Sequence, residues 1–291
     1  MGIKMFAPEN IEEAVVLMDA GGGKVLAGGT DLIIELHKGQ TVPEYIVDIG
    51  EISELKQIVV EENSIRLGSM VTFAQLIEND FIRQNVPSLW EAARKMGATQ
   101  IQNRATIGGN ICNAAPAADS IPVFMSLRAE GLVCGANGKR TIAVKDIVTG
   151  RGKNSLERGE LLEAVVFGRP GANSGCGFAK LGKRNALAIS TISCAVKLEE
   201  TEGSITGISV YTGSLGVKAE EEVRTEAYLM GKSLSDLNLD EAAEILSREV
   251  EERLGGRASI VYKKEAVKGI FKEAAQKAID HLRDMKDGVL Q

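Results

Sequence analysis

Two stretches of this 291-residue chain carry residue types that could hold a charged ligand. The first, KVLAGGTDLI from Lys24 to Ile33, runs Lys24, Val25, Leu26 and Ala27 into the glycines Gly28 and Gly29, then Thr30 and Asp31. A turn of that composition can aim several backbone N–H groups at an anion, helped by the dipole of a following helix. Pyrophosphate suits it. The same residues would also make a plain strand–turn–helix with Thr30 or Asp31 as N-cap. The stretch is neither GxGxxG nor a Walker loop, so an ordinary Rossmann site is disfavoured. The second stretch, ATIGGNICNAAPAAD from Ala105 to Asp119, pairs Gly108 and Gly109 between Thr106-Ile107 and Asn110. Its small side chains would let backbone approach a ligand, and Thr and Asn add directional hydrogen bonds. Asp119, the only charge there, could accept from sugar hydroxyls or cap a helix. Two such loops could grip a long dinucleotide at two points.

Other chemistry is thinly provided. Only two histidines occur, His37 and His281, far apart in sequence. The four cysteines, Cys112, Cys134, Cys176 and Cys194, are widely spaced with no CxxC pair, which reads as reduced thiols and predicts no metal site. The net charge of −6 points away from nucleic acid and from anionic membrane surfaces. The opening MGIKMFAPENIEEAV lacks a long apolar run, and Phe6 breaks the myristoylation pattern, so a cytoplasmic protein is expected. With 44% hydrophobic and 25% charged residues the chain can bury a full core without disulfides.

The elements that must position these loops follow from caps and periodicity. Asn10 is placed to cap a helix through Ala20, with Ile11, Val15 and Met18 on one face, stopped by Gly21-Gly22-Gly23. Lys24–Ala27 reads as a strand, Leu32–His37 as a helix and Tyr45–Ile49 as a strand. Gln57–Gly68 reads as a hairpin turning at Glu61-Glu62-Asn63. Thr72 caps a helix through Glu78, Pro87 opens one through Met96, and Asp119–Leu127 is helical. Residues 130–168 read as short strands with turns. Beyond Gly171, strands at Gly177–Lys183, Ser193–Glu199 and Ile205–Thr212 precede helices at Glu220–Met230, Leu239–Leu254 and Ile260–His281. Strands followed by helices describe a separate α+β domain, with the boundary in the turn-rich Pro170–Asn173.

AGGTDLI and TIGGNICNAAPAAD resemble the paired FAD signatures of molybdenum hydroxylase flavoprotein subunits, and the bacterial xanthine dehydrogenase FAD subunits are similar in size. The resemblance extends through the MFAPENIEEAV opening, Val47-Asp48-Ile49, GSMVTFAQL from Gly68, QIQNRATIGGN from Gln100, GFAKLGKRNALAIS and RASIVYKKE. It implies an α+β fold: a FAD-binding domain of the vanillyl-alcohol-oxidase type over residues 1–172, in subdomains 1–55 and 56–172, then a smaller domain of antiparallel sheet plus helices over 173–291. It implies that Lys24 through Asp31 and Thr106 through Asn110 hold FAD, with Asp119 as a later polar contact. Leu162 matches a family residue lying against the flavin, and Lys180 a basic residue near its ring that could steady charge on the reduced form. No catalytic side chain and no metal ligand are implied in this chain.

The function implied is electron transfer: FAD takes electrons from iron–sulfur clusters and passes hydride to NAD, in xanthine or purine oxidation. A 2Fe–2S subunit and a molybdopterin-binding large subunit are the implied partners, in a heterotrimer or its dimer, with no nucleic acid or membrane. Carbon monoxide, nicotinate, an aldehyde or an aromatic acyl-CoA are alternative substrates of the partner chain. A non-catalytic assembly or flavin-binding module is disfavoured by the intact loops. The chain departs from the usual pattern at Met96 (aromatic in animal enzymes), Ala115 (Ser or Thr), Ala188 (Asp) and Ser190 (Ala), and Ala219-Glu220-Glu221 occupies the region of a Pro-x-Arg.

Overall fold

Asn10 sits in extended backbone and its Oδ1 accepts the Glu13 amide at 2.9 Å, so the helix Ile11–Asp19 begins where its cap predicts. Gly21 and Gly22, at φ of 80° and 79°, turn the chain out of it. The computed structural model describes residues 3–184 and 187–288. Asn185 and Ala186 of the GFAKLGKRNALAIS segment, Met1 and Gly2 of the opening, and the last three residues lie outside the described residues.

By packing, the chain forms two compact units that do not follow sequence order. One takes residues up to 75 with 98–114 and 128–169; the other takes 76–97, 115–127 and everything from 170 onward. In the first, β1 (Lys4–Phe6), β2 (Gly23–Leu26) and β3 (Tyr45–Asp48) form a parallel sheet in the order β1-β3-β2. Parallel pairing requires crossovers, which the helices Ile11–Asp19 and Leu32–His37 supply. The core under this sheet gathers Ile11, Ala14, Val15, Val47, Ile49, Ile52 and Leu55.

The same unit carries an antiparallel sheet of β4 (Ile58–Val60), β5 (Ser64–Gly68), β6 (Glu130–Gly135), β7 (Gly138–Ala143) and, after the small hairpin β8 (Val148–Gly150) and β9 (Lys153–Asn154), β10 (Leu161–Gly168). The order is β4-β5-β10-β6-β7. The β10–β6 register shifts between Leu162 and Ala164, so Glu163 is the extra residue of a bulge. Its carboxylate meets Arg66 at 2.9 Å and Lys139 at 2.8 Å.

In the second unit β11 (Ser174–Gly182), β12 (Ser190–Thr201), β13 (Ser204–Gly213) and β14 (Glu220–Glu221) lie antiparallel in sequence order. The helix Ile260–Lys286 packs on this sheet through Val267, Phe271, Ala274, Ala275 and Ala278, all buried. Gly175 and Gly177 of β11 let its backbone come close: an added Cβ at these positions would stand 2.0 Å from the Ala278 carbonyl oxygen and 2.2 Å from that of Ala274. No helix among the described residues is long and apolar enough to cross a membrane.

Two expectations change. The helix predicted from Glu220 starts only at Val223, and Glu220–Glu221 is strand β14. Glu222 is fully buried, held by Arg253 at 2.7 and 2.8 Å and by the Thr212 hydroxyl, which fixes it outside the helix. The Glu249 carboxylate instead accepts the Arg224 and Thr225 amides at the helix start. The second glycine stretch, expected as a loop, contains the helix Ile107–Asn113, closed by Ala114 in the left-handed region at φ 50°.

His281 is 5% exposed. Its Nδ1 accepts the Cys176 amide at 3.1 Å, which leaves the proton on Nε2, 3.1 Å from the Gln84 carbonyl it donates to. Burial lowers the proton affinity of this imidazole in the folded chain. The unfolded chain therefore binds the proton first, and stability is full above about pH 6.5 and falls as pH drops below it. Denaturant melts at pH 7.5 and 5.5 should show this loss, and His281→Asn should flatten it. An unchanged slope in the variant would assign the acid sensitivity elsewhere.

Candidate functional site

The first loop is built by β2, which carries Lys24 exposed and Val25 and Leu26 half-buried, and by the turn Ala27–Asp31 that opens the helix Leu32–His37. Gly28 has a packing task. A Cβ there would lie 1.8 Å from the Arg104 carbonyl oxygen, so this glycine docks the first loop on the backbone just before the second. Gly29 takes φ 76°. Among the described residues, no carbonyl or side chain accepts from the amides of Gly28, Gly29, Thr30 or Asp31. Neither Thr30 nor Asp31 acts as a side-chain cap, although Asp31 holds the N-cap position. Four unspent donors around a positive-φ glycine form the kind of concavity that takes an anion. The Asp31 carboxyl is held above its usual range by partial burial and by the Glu35 carboxylate.

The second loop is made differently. The Phe73 amide donates to the Ala105 carbonyl at 3.2 Å, Ile107 to Val71 at 2.9 Å and Gly108 to Ser69 at 2.8 Å. The Thr106 hydroxyl accepts the Gly109 amide at 3.1 Å, and the Thr106 carbonyl accepts that of Asn110 at 2.9 Å. Every amide from Ile107 to Asn110 is thus used within the chain, and Thr106 is a helix cap. Gly108 also serves packing, since a Cβ would stand 2.6 Å from that of Ser69. Ser69 in turn donates its amide to the Glu163 carbonyl at 2.9 Å, so the β10 bulge anchors the second loop. The two loops meet: Gly109's Cβ position is 3.9 Å from that of Ala27. Leu162, just before the bulge, is 5% exposed and fills the space above Gly131.

The second unit holds Asp119 and Lys180 together. Lys180, on β11, donates from Nζ to Asp119 Oδ2 at 2.5 Å and to the Lys95 carbonyl at 2.9 Å. Ser190 at the head of β12 donates its hydroxyl to Asp119 Oδ1. Asp119 occupies an N-cap position without capping, because its carboxylate is turned to these donors. Burial raises its proton affinity, opposed by Lys180, Ser190 and Lys95, and two converging donors mark it as a carboxylate. Ser190 was visible in the sequence only as a departure from Ala; its partnership with Asp119 spans 71 residues.

Residues 1–169 match the family described as the FAD binding domain in molybdopterin dehydrogenase. The chain belongs to this family, as a molybdenum hydroxylase FAD subunit. Residues 178–278 match the CO dehydrogenase flavoprotein C-terminal domain, which accounts for the second half of the chain. This FAD subunit is 35% identical over 287 residues to the nicotinate dehydrogenase FAD-subunit of Eubacterium barkeri, covering 96% of this chain and 97% of that one. It is 34% identical over 269 residues to the xanthine dehydrogenase FAD-binding subunit of Escherichia coli, covering 91% of each. A chain of the carbon monoxide dehydrogenase from Hydrogenophaga pseudoflava superposes with a TM-score of 0.88 at 26% identity, over 97% of this chain and 98% of that one. The protein is an oxidoreductase subunit of mixed α and β structure. The free amides at Gly28–Asp31 fit the family's cofactor, since a dinucleotide presents a diphosphate to such a cradle.

Proposed function

We propose that this FAD subunit holds the cofactor diphosphate on the amides of Gly28, Gly29, Thr30 and Asp31. The unspent donors around Gly29 are the observation that carries this reading. Lys24 through Ala27 set the height of the cradle, and Thr106 through Asn110 form its wall, rigid because the amides from Ile107 to Asn110 are spent within the chain. Leu162 contributes an apolar contact, and Asp119 and Lys180 the polar ones. FAD, when bound, supplies the ability to take electrons singly and release them as a pair. The chain's own residues bind, orient and tune, and this reading assigns none of the described residues a role as acid, base or nucleophile.

The chain works as the flavin subunit beside a 2Fe–2S subunit and a molybdopterin subunit, in a heterotrimer or its dimer in the cytoplasm. It passes electrons to NAD, a reading supported by relatives named dehydrogenases. The partner's substrate is a purine in this reading. Nicotinate is the second, favoured by the Eubacterium relative; both are nitrogen heteroaromatics. Purified protein should be yellow and release FAD on denaturation. A colourless protein that takes up no flavin on reconstitution overturns the binding claim. Recovering the large subunit that co-purifies, and assaying it with xanthine and nicotinate plus NAD, decides the substrate.

A further inference from the structure

The carboxylate of Asp119 is engaged on both oxygens, by side chains from two neighbouring strands. Lys180 takes Oδ2 at 2.5 Å, and the Ser190 hydroxyl takes Oδ1. The side chains of Asp119 and Lys180 are 4% and 7% exposed. An ammonium alone leaves a carboxylate free to pivot about a single contact. A donor on the opposite oxygen fixes the plane of the group, and charge-assisted bonds of this kind are stronger than neutral ones. The Ser190 hydroxyl is itself aimed. The Ser190 carbonyl accepts the Ser214 hydroxyl at 2.9 Å, while the Ser214 amide donates to the Pro116 carbonyl at 3.0 Å, so the backbone bearing the serine is tied from its other side. The Lys180 ammonium has two of its three protons placed, on Asp119 and on the Lys95 carbonyl. Its third proton then has one direction left.

We propose that Ser190 is a positioning residue: it fixes the Asp119 carboxylate, and through it the direction in which Lys180 presents its remaining proton and its charge to FAD. This rests on the reading that Asp119 and Lys180 contact the cofactor. An alanine at this position keeps the backbone ties and loses only the hydroxyl bond, so the effect of the hydroxyl can be isolated. Without it the buried carboxylate holds its charge less well, and the Lys180 ammonium is less fully compensated. Reduced flavin carries more negative charge than oxidised flavin, so the flavin potential moves upward.

The test compares Ser190→Ala, Ser190→Thr, Asp119→Asn and Lys180→Met in the protein purified with the subunits that accompany it. Readouts are the FAD dissociation constant, the flavin midpoint potential by spectroscopic titration, and the melting temperature of the flavin-free form. Ser190→Ala should weaken FAD roughly tenfold, since a hydrogen bond to a charged group is lost, and shift the potential in the same direction as Asp119→Asn but less. Ser190→Thr should restore both, with the flavin-free melt unchanged. A Ser190→Ala protein with wild-type affinity and potential, while Asp119→Asn alters both, overturns the positioning role. So does a flavin-free melt depressed in Ser190→Ala and not recovered in Ser190→Thr. If Asp119→Asn and Lys180→Met also leave the flavin untouched, it is the contact between this pair and FAD that fails.

Discussion

A chain carrying Gly29→Val should purify folded and without FAD. Gly29 stands at φ 76°, a region that costs a residue with a Cβ about 1–2 kcal/mol and a β-branched one more. Space is not the obstacle: the Cβ would meet Leu26 Cδ1 at 3.2 Å and Ile33 Cγ1 at 3.3 Å, both flexible side-chain ends. The chain relieves the strain by changing φ, and the amides from Gly28 to Asp31 then stop converging. Each donor to a charged phosphate contributes roughly 1.5–3 kcal/mol, so losing two lowers affinity at least about 100-fold. The core of Ile11, Val15, Val47 and Leu55 is untouched, so folding survives. The flavin-to-protein ratio after heat release, beside a thermal melt, checks both halves. A variant that keeps its full flavin complement removes the cradle from the site.

Gly177→Val should strongly destabilise the fold. Its first side-chain carbon would fall 2.2 Å from the Ala274 carbonyl oxygen and 2.7 Å from the Ala278 nitrogen, and neither is a movable side chain. The helix Ile260–Lys286 must lift from β11, exposing Phe271 and the alanines beneath it. Overpacking of this kind costs about 1–3 kcal/mol and more when backbone must move, a large share of the 5–15 kcal/mol typical of a domain. The expected outcome is mostly insoluble protein, or a melt lowered by about 10 °C or more. Gly171→Ala, with open space around its Cβ position, is the matched control and should melt like the parent. Equal melts for the two variants would mean that the helix does not need the glycine.

Local signals in the sequence carried far where they were strong. Asn10 and Pro87 mark true helix starts, Leu32–His37 is a helix over its predicted span, and the three long strands after Gly171 appear in order. The helix Ile107–Asn113 was hidden because two adjacent glycines weaken helix propensity by about 1 kcal/mol each. Its start is secured instead by backbone bonds to Ser69 and Val71, residues some forty positions earlier. Glu222 looked like part of a helix because nothing nearby announces Arg253, 31 residues on. The same limit applies at the site. Paired glycines singled out two loops, yet which of their amides lack an acceptor depended on the 69–73 segment. The amides of Gly28–Asp31 have no acceptor among the described residues, whereas those of Ile107–Asn110 are used within the chain. The role of Gly28 likewise depends on a distant carbonyl, that of Arg104.

The second unit draws residues 76–97 and 115–127 from within the span of the first. Its last helix reaches back to them: His281 meets the Gln84 carbonyl, 197 residues earlier, and Lys277 pairs with Glu91 at 2.8 Å. On the ribosome Gln84 and Glu91 must therefore wait for these partners until the final helix leaves the exit tunnel. At 5–20 residues per second that delay is roughly ten to forty seconds. The strands β11, β12 and β13, on which the helices Pro87–Arg94 and Ser120–Ser126 pack, emerge earlier, so a chain truncated before Ile260 would lose these two ties and the helix whose Val267, Phe271 and Ala274 cover that sheet.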